Sequence, residues 1–240
     1  MSSAFFSTSY DDQLQYSLIH LANYPQYLPF IGTHWDVLPD RVLFVGESHY
    51  LPKTSAGKSD SKTWYTRSSV NLTPFDHQHI NTRGVILDAE FGKHNKAYLI
   101  FYNIKAVVQE VHNMKKSKEP LFQNFAYYNY FQRPAEITGK SINNCAIDNQ
   151  VAYQTIKVFS ETVKPTVVIF VSKRAYLSFW TEKRKSKDSI FNSIAIHHVP
   201  HPACAWWYRR NKSDKNRNGK EKFRKIIKDL NLKIDDYRLT

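Results

Sequence analysis

Two segments of the chain are apolar at every position. One is Val42-Leu43-Phe44-Val45, and the other runs from Val167 to Val171 as "VVIFV". A strand with no polar face must be covered on both sides, which places it inside a parallel sheet between two layers of helix. The intervening sequence agrees. Ile100, Ile104, Val108 and Val111 repeat at helical spacing within 97–113. Ala152, Ile156, Phe159 and Val163 do the same before Pro165, and Phe223, Ile226, Ile227 and Leu230 mark a C-terminal helix. A short helix is expected around Ala175 to Thr181. "FAYYNYF" has the aromatic density of a strand, and "SIAIHHVPHP" reads as a last strand with a polar exit. The expected fold is therefore a single three-layer α/β/α domain over 1–240, with a central, mostly parallel, four-stranded sheet. Residues 1–40, with Pro25, Pro29 and Pro39, read as loop and short turns. Residues 51–96 show no clear period and read as a long loop or insertion.

Lys and Arg total 34 against 21 Asp and Glu, a formal charge of +13. Such a balance favours a polyanionic partner, most directly nucleic acid. The two cysteines, Cys145 and Cys204, cannot build a disulfide framework, a four-cysteine zinc site or a cysteine-ligated iron–sulfur cluster. His197, His198 and His201 are close in sequence, but neighbours in a strand point to opposite faces, so no metal is expected there. The N-terminus lacks a basic region followed by an apolar stretch, and no apolar run approaches ~18 residues. A cytoplasmic monomer with no membrane partner is the expectation.

In open parallel sheets, sites form at the carboxyl ends of the strands. Three strand exits here carry reactive groups: "VLFVGESHY", "YYN" and "HHVPHP". Taken in order, these resemble the uracil-DNA glycosylase superfamily. "VLFVGESHY" is similar to its first motif, a buried strand ending in glycine and a catalytic or water-positioning polar residue. "FAYYNYF" resembles the strand whose asparagine reads the pyrimidine edge. "KPTVVIFVSKRAY" resembles the third strand and its turn, and "HHVPHPACAWW" the second catalytic motif. The resemblance covers roughly residues 40 to 232.

The resemblance implies Glu47 and His201 as catalytic residues, with no cofactor. Gly46, Ser48, Tyr50 and Asn129 would bind the base. The chemistry of N-glycosidic hydrolysis agrees. A carboxylate stabilises the oxocarbenium-like sugar or orients water, and a histidine stabilises the departing base anion. An asparagine offers both donor and acceptor to a base edge. The segment from Tyr208 to Lys228 has ten basic and two acidic residues. With Trp206, Trp207, Arg209, Arg210 and Lys212 it reads as the part that wedges into and tracks double-stranded DNA while a base is flipped.

The departures bear on substrate. Ser48 stands where the uracil-specific branch has aspartate, His49 where it has proline, and Ala203 where the second motif has serine. Gly46-Glu47 matches a branch that binds an iron–sulfur cluster. A modified pyrimidine of foreign DNA is the first expected substrate, and uracil in base-excision repair is the alternative. A polar substituent at carbon 5 would meet Asn71, Asp76, His77, Gln78, His79, Asn81 and Arg83, with Trp64, Tyr65 and Phe75 beside them. Two other classes stand: a nucleic-acid-binding module without cleavage, and a hydrolase of free nucleosides or nucleotides.

Overall fold

The computed structural model describes residues 5–66, 70–92, 94–114, 120–212 and 215–234. Its centre is a sheet of five strands: β1 (Phe30–Ile31), β2 (Val42–Gly46), β3 (Ala126–Asn129), β4 (Val167–Phe170) and β5 (Ala195–His198), in the order β1-β3-β2-β4-β5. β3, β2, β4 and β5 are mutually parallel, and β1 pairs antiparallel with β3 through Phe30–Tyr127 and Ile31–Ala126. The four parallel strands are those expected. The fifth strand corrects the expectation, since two residues between Pro29 and Gly32 are too few to display a period. Gly32 is needed because a Cβ there would lie 2.1 Å from the Gln123 carbonyl oxygen.

Alternation along the strands divides the core. Leu43, Val45, Ala126, Tyr128, Val168 and Phe170 pack on one face. That face is covered by α1 (Asp11–Ser17), α2 (Ile19–Asn23), α7 (Ala146–Val163) and α8 (Lys173–Ser186). Val42, Phe44, Tyr127, Val167 and Ile169 pack on the other, under α5 (Thr82–Phe91), α6 (Leu99–Val111) and α9 (Gly219–Leu230). This is the helix-sheet-helix arrangement that strands apolar on both faces require.

Residues 51–96 are not a long loop. Together with α5 they form a 3-10 helix (Lys53–Ser59), α3 (Ser61–Thr66), α4 (Pro74–His79) and a second 3-10 turn (Lys96–Tyr98). α4 and α5 are marked by their ends rather than by a period. Thr73 and Asp76 form a capping box ahead of Pro74, and the Asn81 side chain accepts from the Gly84 N–H. The segment 1–40 likewise contains α1 and α2 in addition to β1. α8 is 14 residues long, about twice the expected span. Its last turn carries Lys183, Arg184 and Lys185, which suit the negative end of the helix dipole. Among the described residues no helix is long and apolar enough to cross a membrane.

Candidate active site

The chain leaves β2 toward β3 on one side and leaves β4 toward β5 on the other. Between β2 and β4 the outgoing connections therefore part, which opens a crevice at the carboxyl ends of the strands. Glu47 follows β2 and Ser172 follows β4, and strand alternation brings both to the α7–α8 face. Ser172 Oγ donates to Glu47 Oε2 at 2.6 Å, and the Ile142 N–H donates to Oε1 at 3.2 Å. Both carboxylate oxygens are thus held. Ser172 is fully buried and also caps α8, accepting from the Ala175 N–H at 3.2 Å.

The Ile142 amide is in turn fixed from below. Arg133, 1% exposed, makes a bidentate pair with buried Asp148 at 2.7 and 2.9 Å. It also donates to the carbonyls of Ser59, Pro134 and Asn143. One planar guanidinium ties the loop after β3 to α7 and to the 3-10 helix after β2.

His201, three residues beyond β5, lines the same cleft as Glu47, a half-open space of about 1100 Å³. Its Nδ1 accepts from the Ala203 N–H at 3.2 Å, so the neutral ring carries its proton on Nε2. Burial holds its pKa below the ordinary histidine value, while the Glu47 charge works in the opposite direction. The two groups are electrostatically coupled across one space. Asn103 of α6 steadies the loop that carries His201, donating to the Pro202 carbonyl at 2.8 Å and accepting from Tyr208 Oη at 3.0 Å.

The remaining base-binding candidates are close to Glu47 but do not line this cleft. Asn129 is paired in register with Gly46 and, by alternation, lies on the Tyr127 face. Tyr127 Oη donates to its Oδ1 at 3.1 Å. A Cβ on Gly46 would fall 2.2 Å from that oxygen, so the close approach of Asn129 to the strand needs glycine. Ser48 is buried and its Oγ has no partner among the described residues. Tyr50 is half-buried, and burial followed by the Glu47 charge raises its pKa. His49 is fully engaged in packing: Nε2 lies 2.9 Å from Thr82 Oγ1, and the ring stands edge-on to Tyr27.

Two adjacent tryptophans part company. Trp206 is 54% exposed and lines the cleft, whereas Trp207 is 1% exposed and packs on Phe223 of α9. Trp207 is a core residue, and its expected contact with DNA is withdrawn. Arg209, Arg210 and Lys212 are exposed, Arg210 lying 3.7 Å from Glu221. His198 stacks on Tyr176 at 4.0 Å, and His197 is turned to the α9 side, where Asp229 opposes the lowering of its pKa by burial. Among the described residues no group of three or more His, Cys, Asp or Glu could hold a metal.

Among the described residues of 51–96, none lines the cleft either. Asp76 is buried against Lys58 at 2.8 Å, Arg83 pairs with Asp11, and Asn81 caps α5. The expected role of this segment in holding a substituent is corrected accordingly. Polar groups of the cleft come instead from the loop before α7, from α7 and α8, and from residues between His198 and Lys222. Asn144 donates to Asn149 at 2.7 Å, and Ser178 donates to the same oxygen at 2.8 Å. Sequence reading missed these and Ser172. The signal for Ser172 was present, a serine between a buried strand and an amphipathic run.

No protein-family model matches the chain, and no curated protein matches it. What the site can do is carried by its own geometry.

Proposed function

We propose that the chain is a monofunctional DNA glycosylase of the uracil-DNA glycosylase type, acting on a non-standard pyrimidine flipped from double-stranded DNA. The observation that carries this reading is the pairing of Glu47 and His201 in one cleft at the seam between β2 and β4, with the carboxylate locked at both oxygens. In the reaction, the bond from the sugar carbon to the base nitrogen breaks and its electrons leave with the base. Water adds to the sugar carbon and its proton passes to solvent. Glu47 stabilises the cationic sugar and orients that water, and the Nε2–H of His201 donates to the base anion. Four parallel strands with helices on both faces support the fold assignment, and the exposed Trp206 beside basic residues supports extrusion of a base.

A modified pyrimidine is favoured over uracil. The Asn144–Asn149–Ser178 wall of the cleft carries polar groups that suit a polar substituent. The test is release of abasic sites from plasmid and phage DNAs that carry different base modifications. Abasic sites in modified DNA support the proposal. Cutting of uracil-containing DNA alone assigns the chain to base-excision repair. Binding without cutting of any of them makes it a binding module.

A further inference from the structure

Four cations line the cleft, Lys173 and Arg174 from the first turn of α8 as one bank and Arg217 and Lys222 from α9 and the loop before it as a second, and Glu47 is the one carboxylate among the described lining residues. Lys173 and Arg174 are the first two residues of α8, at the positive end of the helix dipole, where a cation is unfavourable. The contacts of this set include neutral groups: Arg174 donates to Asn144 Oδ1 at 3.1 Å, and Lys222 Nζ lies 3.5 Å from His198 Nε2. The cations of α9 that face away from the cleft are placed differently. Lys220 and Arg224 both reach Glu110, and Lys225 pairs with Asp229. Carboxylates pair with these outward cations of α9, while the described lining of the cleft carries four cations and one carboxylate.

We propose that these banks hold backbone phosphates of a DNA strand that crosses the cleft, Lys173 and Arg174 on one side and Arg217 and Lys222 on the other of the nucleotide presented to Glu47. α8 thereby becomes a second DNA-contacting element facing the 206–222 segment. This rests on the cleft being a nucleic-acid site, but not on any bond being cut.

The experiment is fluorescence anisotropy of a labelled, unmodified duplex with the full chain over a range of salt. Variants are Lys173→Gln/Arg174→Gln, Arg217→Gln/Lys222→Gln and, as a control at the far end of α8, Arg184→Gln/Lys185→Gln. Each bank variant is expected to flatten the slope of log K against log salt by about 0.9 per lost phosphate contact, roughly 1.8 for a pair, with the control unchanged. Lys173 and Arg174 are both exposed, so their substitution leaves the core intact. An unchanged slope in that variant overturns the proposal. So does protection of the parent, but not the variant, from thermal unfolding by inorganic phosphate while the duplex slope stays the same, because that marks a small-anion site. Flattened slopes with no base released from any DNA would leave the banks standing and remove the glycosylase reading. Base release with unchanged slopes would do the reverse.

Discussion

Ser172 Oγ and Glu47 Oε2 meet at 2.6 Å across the seam where the connections of β2 and β4 diverge. The same hydroxyl caps α8, so one buried atom joins helix entry to carboxylate orientation. A hydrogen bond to a charged group contributes about 1.5–3 kcal/mol. Ser172→Ala should therefore lower single-turnover cleavage by about 10- to 10²-fold, with DNA affinity retained. Loss of the cap alone should cost about 1 kcal/mol in urea unfolding. Ser172→Thr keeps the hydroxyl and should restore most of the rate. A Ser172→Ala protein that is less stable yet cleaves at the parental rate would reduce the serine to a cap.

Glu47→Gln preserves shape and removes charge. If the carboxylate acts as proposed, on charge that develops only in the transition state, cleavage should fall by on the order of 10²-fold or more while duplex binding stays close to parental. On the same proposal His201→Ala should remove the donor to the departing base, with a loss of about 10²–10³ in rate. Rapid-quench kinetics at saturating enzyme separate these effects from binding. Parental cleavage by Glu47→Gln would displace the chemistry from this cleft.

Glu47 and His201 were legible because each follows a strand that is itself legible, and the exits of a parallel sheet point one way. Their support was not. The Ile142 amide that holds Glu47 is a main-chain group common to every non-proline residue, so only the loop path tied down by Arg133 makes it special. β1 was hidden by its two-residue length, and α3 and α4 by being short. Asn129 was found on the expected strand, but alternation turns it to the Tyr127 face rather than into the cleft. Arg217 reaches the cleft although charge counting saw only an undivided basic tail.

Trp206 and Trp207 are indistinguishable by residue type and differ wholly in surroundings. Trp207→Ala empties a core position against Phe223 and should destabilise by about 3–5 kcal/mol. Trp206→Ala changes an exposed ring and should leave stability within about 0.5 kcal/mol, but lower cleavage of a duplex more than that of the same base in single-stranded DNA. Urea titrations of both variants, with cleavage of paired and unpaired substrates, check this. Equal effects of Trp206→Ala on the two substrates would free it from any part in base extrusion.

His49 ties the pH response of the fold to the turn that carries Glu47. Its ring is buried between Tyr27 and Thr82, and its carbonyl accepts from the Ala135 N–H at 2.9 Å. Burial pushes its pKa down to about 3, against about 6.5 when unfolded. Between those values the unfolded chain binds the proton and the folded chain does not, so stability falls as pH falls below about 6.5. At pH 5 this one group should cost about 2 kcal/mol relative to pH 7.5. His20, also lowered by burial, to about 4, adds a loss of the same sign. Comparison with His49→Gln, which keeps a hydrogen-bonding side chain but does not titrate, isolates the His49 part. Urea unfolding at pH 7.5 and pH 5 should show a smaller acid loss in the variant than in the parent. Equal losses would mean that His49 stays neutral without cost and that acid acts on the fold elsewhere. A smaller loss in the variant would tie acid loosening of the fold to the residue two places after Glu47.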